Sequence, residues 1–296
     1  MAQASTSRKT LINKRSLQRS GIHPGVETII LGKVTFQVSN CYTQAMIWNK
    51  NTLSYFVALA AFVCMLTVNA LANILPINGL NTGQVAGLYR NFFLPASMTF
   101  SIWSVIYGFL IVFLVLAWSR RHEVIVSKIL PYFTLSCILN LSWIIVWHFL
   151  LPGISVMIML GLLAVLAIIF VFVQSEDSGD LKIKTWLHVS MTVYFAWICV
   201  ATIANISAFL VSLDWRGGFI SEQAWAVIMM SVATLLALTI TGKFNSPWFS
   251  IVVIWAILGI CIRWIESDHL AIIYSAILLI VVMVIHLVSV ARRKAF

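Results

Sequence analysis

Residues 154–173 read ISVMIMLGLLAVLAIIFVFV. No charged side chain interrupts the stretch, and only Ser155 and Gly161 in it are not hydrophobic. About twenty apolar residues in a helix cross the hydrocarbon layer of a bilayer, so this stretch alone specifies a transmembrane helix. The preceding run, 129–151, is equally long, and the two meet at Leu151-Pro152-Gly153, a turn that only a tight helical hairpin accommodates. A transmembrane barrel would instead show segments of about ten residues alternating apolar and polar positions. The fold class is therefore all-α, a polytopic transmembrane helix bundle.

Working outward, the apolar runs are 53–75, 98–118, 129–151, 154–173, 186–210, 223–240, 248–262 and 270–290, which predicts about eight spans. The chain of 296 residues is 61% hydrophobic and 9% charged, with a mean hydropathy of +0.99. A soluble domain has about 25% charged residues, so a soluble single-core domain and a disordered chain are both excluded.

The net charge of +10 would suggest nucleic acid on a soluble protein, but here the charges lie almost entirely outside the apolar runs. They encode topology, the expected partner is the lipid bilayer, and no nucleic acid is implied. With a cytoplasmic N-terminus and eight crossings, 16 of the 19 basic residues fall inside, leaving Arg90, Arg216 and Arg263 outside. Were the short run 248–262 not to cross, the Arg292-Arg293-Lys294 cluster would be outside, against the positive-inside rule. The expectation is a plasma-membrane protein with both termini cytoplasmic, an organellar membrane being the alternative. Asp214, Glu222, Glu266 and Asp268 then lie outside.

The first 50 residues are basic, with Glu27 as their one acid. They read as a poorly ordered extension, with a transit peptide, a lipid-touching tail or a start at Met46 as alternatives. The five cysteines (Cys41, Cys64, Cys137, Cys199 and Cys261) are scattered, without a C-x-x-C pair, and indicate neither a disulfide framework nor a zinc site.

The spans hold no Asp, Glu, Lys or Arg well inside their limits. Such groups mark ion pathways, proton relays and voltage sensors, so an ion-coupled transporter, a pump and a voltage sensor are disfavoured. A retinal Schiff base has no lysine to form on. The histidines are dispersed, and no phosphate-binding loop, nucleophile elbow or dinucleotide fingerprint occurs, so no catalytic or metal-ligating residue is nominated. His148 reads as a residue near the interface bonding a carbonyl or a lipid headgroup rather than as a haem ligand.

Twelve tryptophans need an explanation. Trp48, Trp118, Trp186, Trp215, Trp225, Trp248 and Trp264 lie at span ends, as an aromatic belt would. Trp103, Trp143, Trp147, Trp197 and Trp255 lie deeper, where a buried indole N–H wants a partner, and they are expected to face the bundle interior. Helical spacing aligns Trp103 with Tyr107; Asn140 with Trp143 and Trp147; Tyr194 with Trp197, Ala201 and Asn205; and Asn69 with Asn73. One reading is interhelical glue, with the small pair Ser104 and Gly108 permitting close approach. The other is an aromatic-walled small-molecule cavity. Residue chemistry leaves both open.

The stripes also carry a resemblance. Residues 95–107, PASMTFSIWSVIY, resemble the loop-to-second-helix motif of the tryptophan-rich sensory protein (TspO) family, relatives of the mitochondrial benzodiazepine receptor or translocator protein. Asn140-Leu141-Ser142-Trp143 resembles that family's third-helix N-x-x-W. Tyr194-Phe195-Ala196-Trp197, with Ala201 through Asn205, resembles its fifth-helix Y-x-x-W…A-x-x-x-N.

The resemblance spans residues 53–215 and implies a five-helix bundle that binds porphyrins, sterols and similar flat apolar ligands, acting as a sensor or stress regulator. It implies ligand-binding roles for Trp103, Tyr107, Asn140, Trp143, Tyr194, Trp197 and Asn205. It implies no obligatory cofactor, a porphyrin or haem-type molecule being a bound ligand, and is compatible with a homodimer. The departures are a Leu94-Pro95 in place of a tandem proline, Ser101-Ile102 in place of Gly-Pro, and a first loop, 76–94, without tryptophan. The loop weighs against light-driven or oxidative tetrapyrrole chemistry. The stretch 209–216 also lacks the tyrosine of a sterol motif.

The expected organisation is a basic extension over 1–50, a five-helix TspO-like bundle over 51–215, and three additional helices with a short tail over 216–296. The reading is a non-enzymatic, sensory or regulatory membrane protein. A transporter of small apolar molecules and a porphyrin-modifying membrane enzyme are the alternatives. Trp143 and Trp197 are expected to wall a cavity between the third and fifth spans, with Asn140 and Asn205 as its polar contacts. The last three helices are expected to pack outside it.

Overall fold

The computed structural model describes residues 50–75, 77–175, 181–215 and 217–293, the side chains of 181–184 excepted. Expectations for the first 49 residues, Trp48 included, lie outside the described residues. Among the described residues eight helices are long and apolar enough to cross a membrane, as the run count predicts. They are α1 (Lys50–Ile74), α2 (Ser97–Ser119), α3 (Val124–His148), α4 (Pro152–Ser175), α5 (Leu181–Ser212), α6 (Glu222–Phe244), α7 (Pro247–Trp264) and α8 (Leu270–Arg293). No strand occurs among the described residues. The chain is a polytopic helical membrane protein. The short seventh run extends to the 18 residues of α7, about 27 Å at 1.5 Å per residue, close to the thickness of the hydrocarbon layer.

The connections follow local chemistry. Between α3 and α4 only 149–151 are non-helical. Leu150 takes a positive φ of 58°, and Pro152, whose missing N–H costs nothing at a first turn, opens α4. The Ser221 side chain caps α6 by accepting from the Ala224 N–H, with Glu222 in the first turn. At its other end Asn245 is left-handed, and Pro247 then starts α7. The long loop between α1 and α2 holds a short helix, Thr82–Leu88, fixed by reciprocal bonds between Asn81 and Gln84.

Helix α5 is the axis of the bundle: every residue from 189 to 200 is buried. A helix buried on all sides must be apolar on all sides, and this one packs on α2, α4, α6 and α7. Helix α4 lies between α3 and α5, whereas α8 lies at the edge against α6 and α7. Helix α1 covers α2 and α3, with Tyr55 against Trp118 at 5.0 Å and Phe62 against Phe133 at 6.3 Å.

Lipid is as apolar as leucine, so packing and hydrogen bonds hold such helices together. Asn69 Nδ2 donates to Asn140 Oδ1 at 3.0 Å, joining α1 to α3. Ser155 Oγ donates to Asn205 Oδ1 at 3.0 Å, joining α4 to α5. Ser190 Oγ donates to the Phe109 carbonyl at 2.9 Å, joining α5 to α2. The glue reading of the asparagine stripes thus holds for these contacts.

It does not hold for Ser104 and Gly108. Both are exposed on α2, and nothing lies within 4 Å of where a Cβ on Gly108 would be. The close approach is elsewhere, at Gly259 of α7, where an added Cβ would be 2.0 Å from Thr99 Oγ1.

Candidate functional site

A cavity lies among α2, α3, α5 and α7, roofed by the segment 82–95 that joins α1 to α2. Its volume is about 50 Å³, and the cleft that opens from it reaches about 660 Å³ when the mouth is included. Helix α2 contributes Phe100 and Trp103, α3 contributes Trp143 and Trp147, and α5 contributes Trp197 with the small residues Ala201, Ala204 and Ala208 and the amide Asn205. The roof brings Thr82, Asn91, Phe93 and Pro95. No lining side chain is charged or titratable.

Trp103 is the hub. Its ring is 5.7 Å from Tyr107 and 6.2 Å from Trp143, both near-parallel, and meets Tyr194 and Trp197 edge-on at 6.4 and 6.3 Å. Trp143 stacks in turn on Trp147 at 6.3 Å. Aromatic pairs in these arrangements add about 0.5–1.5 kcal/mol each beyond burial, so the cluster is a stiff wall.

Four of the seven residues singled out from the sequence line the cavity: Trp103, Trp143, Trp197 and Asn205. Tyr107, Asn140 and Tyr194 do not; they lie behind the wall. Tyr107 and Tyr194 back the Trp103 ring. Asn140, fully buried, spends its carbonyl oxygen on Asn69 rather than on the cavity. For Asn140 one helix contact is the reason: Asn69 of α1 meets its side chain, which the spacing within α3 does not reveal.

Of the five deep tryptophans, four line the cavity and the fifth, Trp255, donates its Nε1–H to the Thr99 carbonyl at 3.0 Å. His148 is fully buried, its Nδ1 2.8 Å from the Ile144 carbonyl, so it does bond a carbonyl.

The polar atoms of the site are unbalanced. Trp143 Nε1, Trp197 Nε1 and Thr82 Oγ1 are buried without a hydrogen-bond partner. Two are pure donors, and the third is a hydroxyl that can donate. Most buried polar atoms in proteins are paired, and leaving one unpaired costs about 1–3 kcal/mol. Asn205 already uses its oxygen on Ser155, which leaves its amide N–H groups. Three residues of the cavity lining thus carry a buried group that can donate and has no partner.

The wall also includes residues outside the seven given a ligand-binding role from the sequence. Trp147 shares the Trp143 stripe and was within reach of the same spacing argument. Thr82 and the roof residues lie on a loop without periodicity, which gives no signal. Ala256 and Ile260 of α7 line the cavity too, against the expectation that the last three helices stay outside it. In sequence they look like any lipid-facing residues.

Among known families, the model described as TSPO-like protein matches residues 55–289. The match runs from α1 into α8, well past residue 215, so the last three helices belong to the matched pattern. No curated protein and no solved structure matches the chain.

Proposed function

The chain belongs to the family of TSPO-like proteins and is an integral membrane protein, and from that premise we propose that its aromatic cavity binds a flat, mainly apolar ligand bearing hydrogen-bond acceptors. The carrying observation is the pair of buried, unpartnered indole N–H groups of Trp143 and Trp197, joined by the Thr82 hydroxyl, on one tryptophan-lined cavity. A flat ring gains by stacking on Trp103, Trp143 and Trp197. A carbonyl or similar acceptor on that ring relieves donors that lipid or a hydrocarbon ligand would leave unpaired.

The lining offers no acid, base or nucleophile, which supports binding rather than catalysis. The role is sensory or regulatory: occupancy would be read out through the roof and α7, which are hydrogen-bonded to each other. The distribution of basic residues supports both termini on the cytoplasmic side, and the membrane proposed is the plasma membrane.

The test is titration of the full chain in nanodiscs with 2-acetylnaphthalene, a flat two-ring ketone, followed by tryptophan fluorescence against empty nanodiscs. Saturable quenching is expected, weakened at least tenfold by Trp197→Leu and unchanged by Trp186→Leu, which alters an exposed ring at a span end. Equal quenching in all three proteins would overturn the reading and reduce the tryptophans to packing.

A further inference from the structure

We propose that α7 is the size-selecting wall of this cavity, through Ala256 and Ile260, and that it restricts the site to ligands of one or two rings. The proposal rests on the binding reading above and specifies its ligand class.

Ala256 and Ile260 are one helical turn apart, both buried, and both on the cavity wall. Helix α7 packs along α5 and against the opening turn of α2, closing the side of the cavity between those two helices. Three hydrogen bonds hold it to the segment that leads into Trp103. Ala96 N–H donates to the Gly259 carbonyl at 2.9 Å, Trp255 Nε1 to the Thr99 carbonyl at 3.0 Å, and Trp264 Nε1 to the Phe92 carbonyl at 3.2 Å. Phe92 also packs on the Trp264 ring at 4.7 Å. At Gly259 the Thr99 side chain packs so closely on the helix that an added Cβ would overlap it. Swinging α7 outward would break all of these contacts together.

With α7 fixed and α2, α3 and α5 joined by the tryptophan cluster, space can be gained only toward the roof, the one wall that is not a spanning helix. The innermost part of the cavity is about 50 Å³ and reaches about 660 Å³ only with its open mouth. A cavity of roughly 150 Å³ holds one benzene ring, so a ring seats here only by widening the cavity toward the roof or by lying partly in the mouth. A ring system that enters from the mouth and seats one edge among Trp143, Trp197 and Ala256 fits this shape. A four-ring porphyrin or sterol meets α7 first.

The test is a series with one constant acceptor and growing size: acetophenone, 2-acetylnaphthalene, 2-acetylanthracene and 1-acetylpyrene, titrated against the full chain in nanodiscs. Affinity should peak at one or two rings and fall at least tenfold by acetylpyrene. Ile260→Ala, which enlarges the cavity, should shift the peak up by one ring. Ala256→Leu should weaken 2-acetylnaphthalene at least tenfold, with helix content and thermal midpoint checked for folding. Affinity that rises steadily through acetylpyrene and ignores Ile260→Ala, while still depending on Trp197, would overturn the size-selecting wall and leave the binding reading standing. Absence of saturable binding for every ketone would overturn both.

Discussion

Replacing Gly259 by alanine asks two effects of opposite sign to compete. In a helix interior, glycine to alanine stabilises by up to about 1 kcal/mol. Here the new methyl would lie 2.0 Å from Thr99 Oγ1, 2.8 Å from its Cγ2 and 2.9 Å from its Cβ. Overpacking of this kind costs about 1–3 kcal/mol. Separating α7 from the turn also weakens the Ala96–Gly259 and Trp255–Thr99 hydrogen bonds, at about 1 kcal/mol each. The clash wins, and Gly259→Ala should destabilise by about 1–4 kcal/mol. Gly108→Ala, at a helical glycine with nothing within 4 Å, should stabilise slightly. Thr99→Ala removes two of the three clashing atoms, and the Oγ1 it deletes has no partner. The double variant should therefore be more stable than Gly259→Ala alone, a non-additivity expected only of residues in contact. Reversible unfolding by sodium dodecyl sulfate in mixed micelles measures the parent and the four variants. A Gly259→Ala protein as stable as its parent, or an additive cycle, would refute the close approach of α7 and with it the fixed wall.

Three further outcomes are expected. A cysteine at Ser267, between α7 and α8, should react with a membrane-impermeant maleimide in intact cells, and one placed after Phe296 should not; the reverse pattern would contradict the topology read from the basic residues. Asn69→Leu should cost about 1–3 kcal/mol by stranding the buried Asn140 amide, whereas Asn69→Leu with Asn140→Leu should be closer to neutral. Equal loss in the single and double variants, measured by unfolding in mixed micelles, would show that the pair is not the α1–α3 link. Trp255→Phe keeps a ring but drops the donor to the Thr99 carbonyl. It should lower the thermal midpoint and weaken 2-acetylnaphthalene through the shifted turn, and an unchanged midpoint with unchanged affinity would count against α7 as a strut.

Much of this architecture is legible in the chain because bilayer thickness is a strong constraint. Runs such as 154–173 have one available fold, and the eight runs became eight helices. The tryptophan and asparagine stripes were legible for the same reason as any helical face, and four tryptophans and Asn205 reached the cavity together. What spacing within one helix does not carry is the identity of the neighbour. Asn140 and Trp143 share a face of α3, yet one meets α1 and the other the cavity. Ala256 and Ile260 were invisible because a cavity wall and a lipid-facing surface use the same residues. Trp264 reads as a belt residue by position but is a strut, its indole tied to the Phe92 carbonyl. Trp255 was the available hint to α7, a deep indole in a span with no sequence-adjacent acceptor, and its partner lay 156 residues away.

The central claim is that unpartnered donors on an aromatic cavity select a flat ligand with an acceptor. The most direct measurement is the affinity of the full chain in nanodiscs for 2-acetylnaphthalene against 2-ethylnaphthalene, which has nearly the same shape but no carbonyl oxygen. The ketone should bind at least tenfold more tightly, about 1.4 kcal/mol, and replacing Trp143 and Trp197 together by phenylalanine should erase the difference. Equal affinity for the two compounds in the unaltered protein would contradict the account.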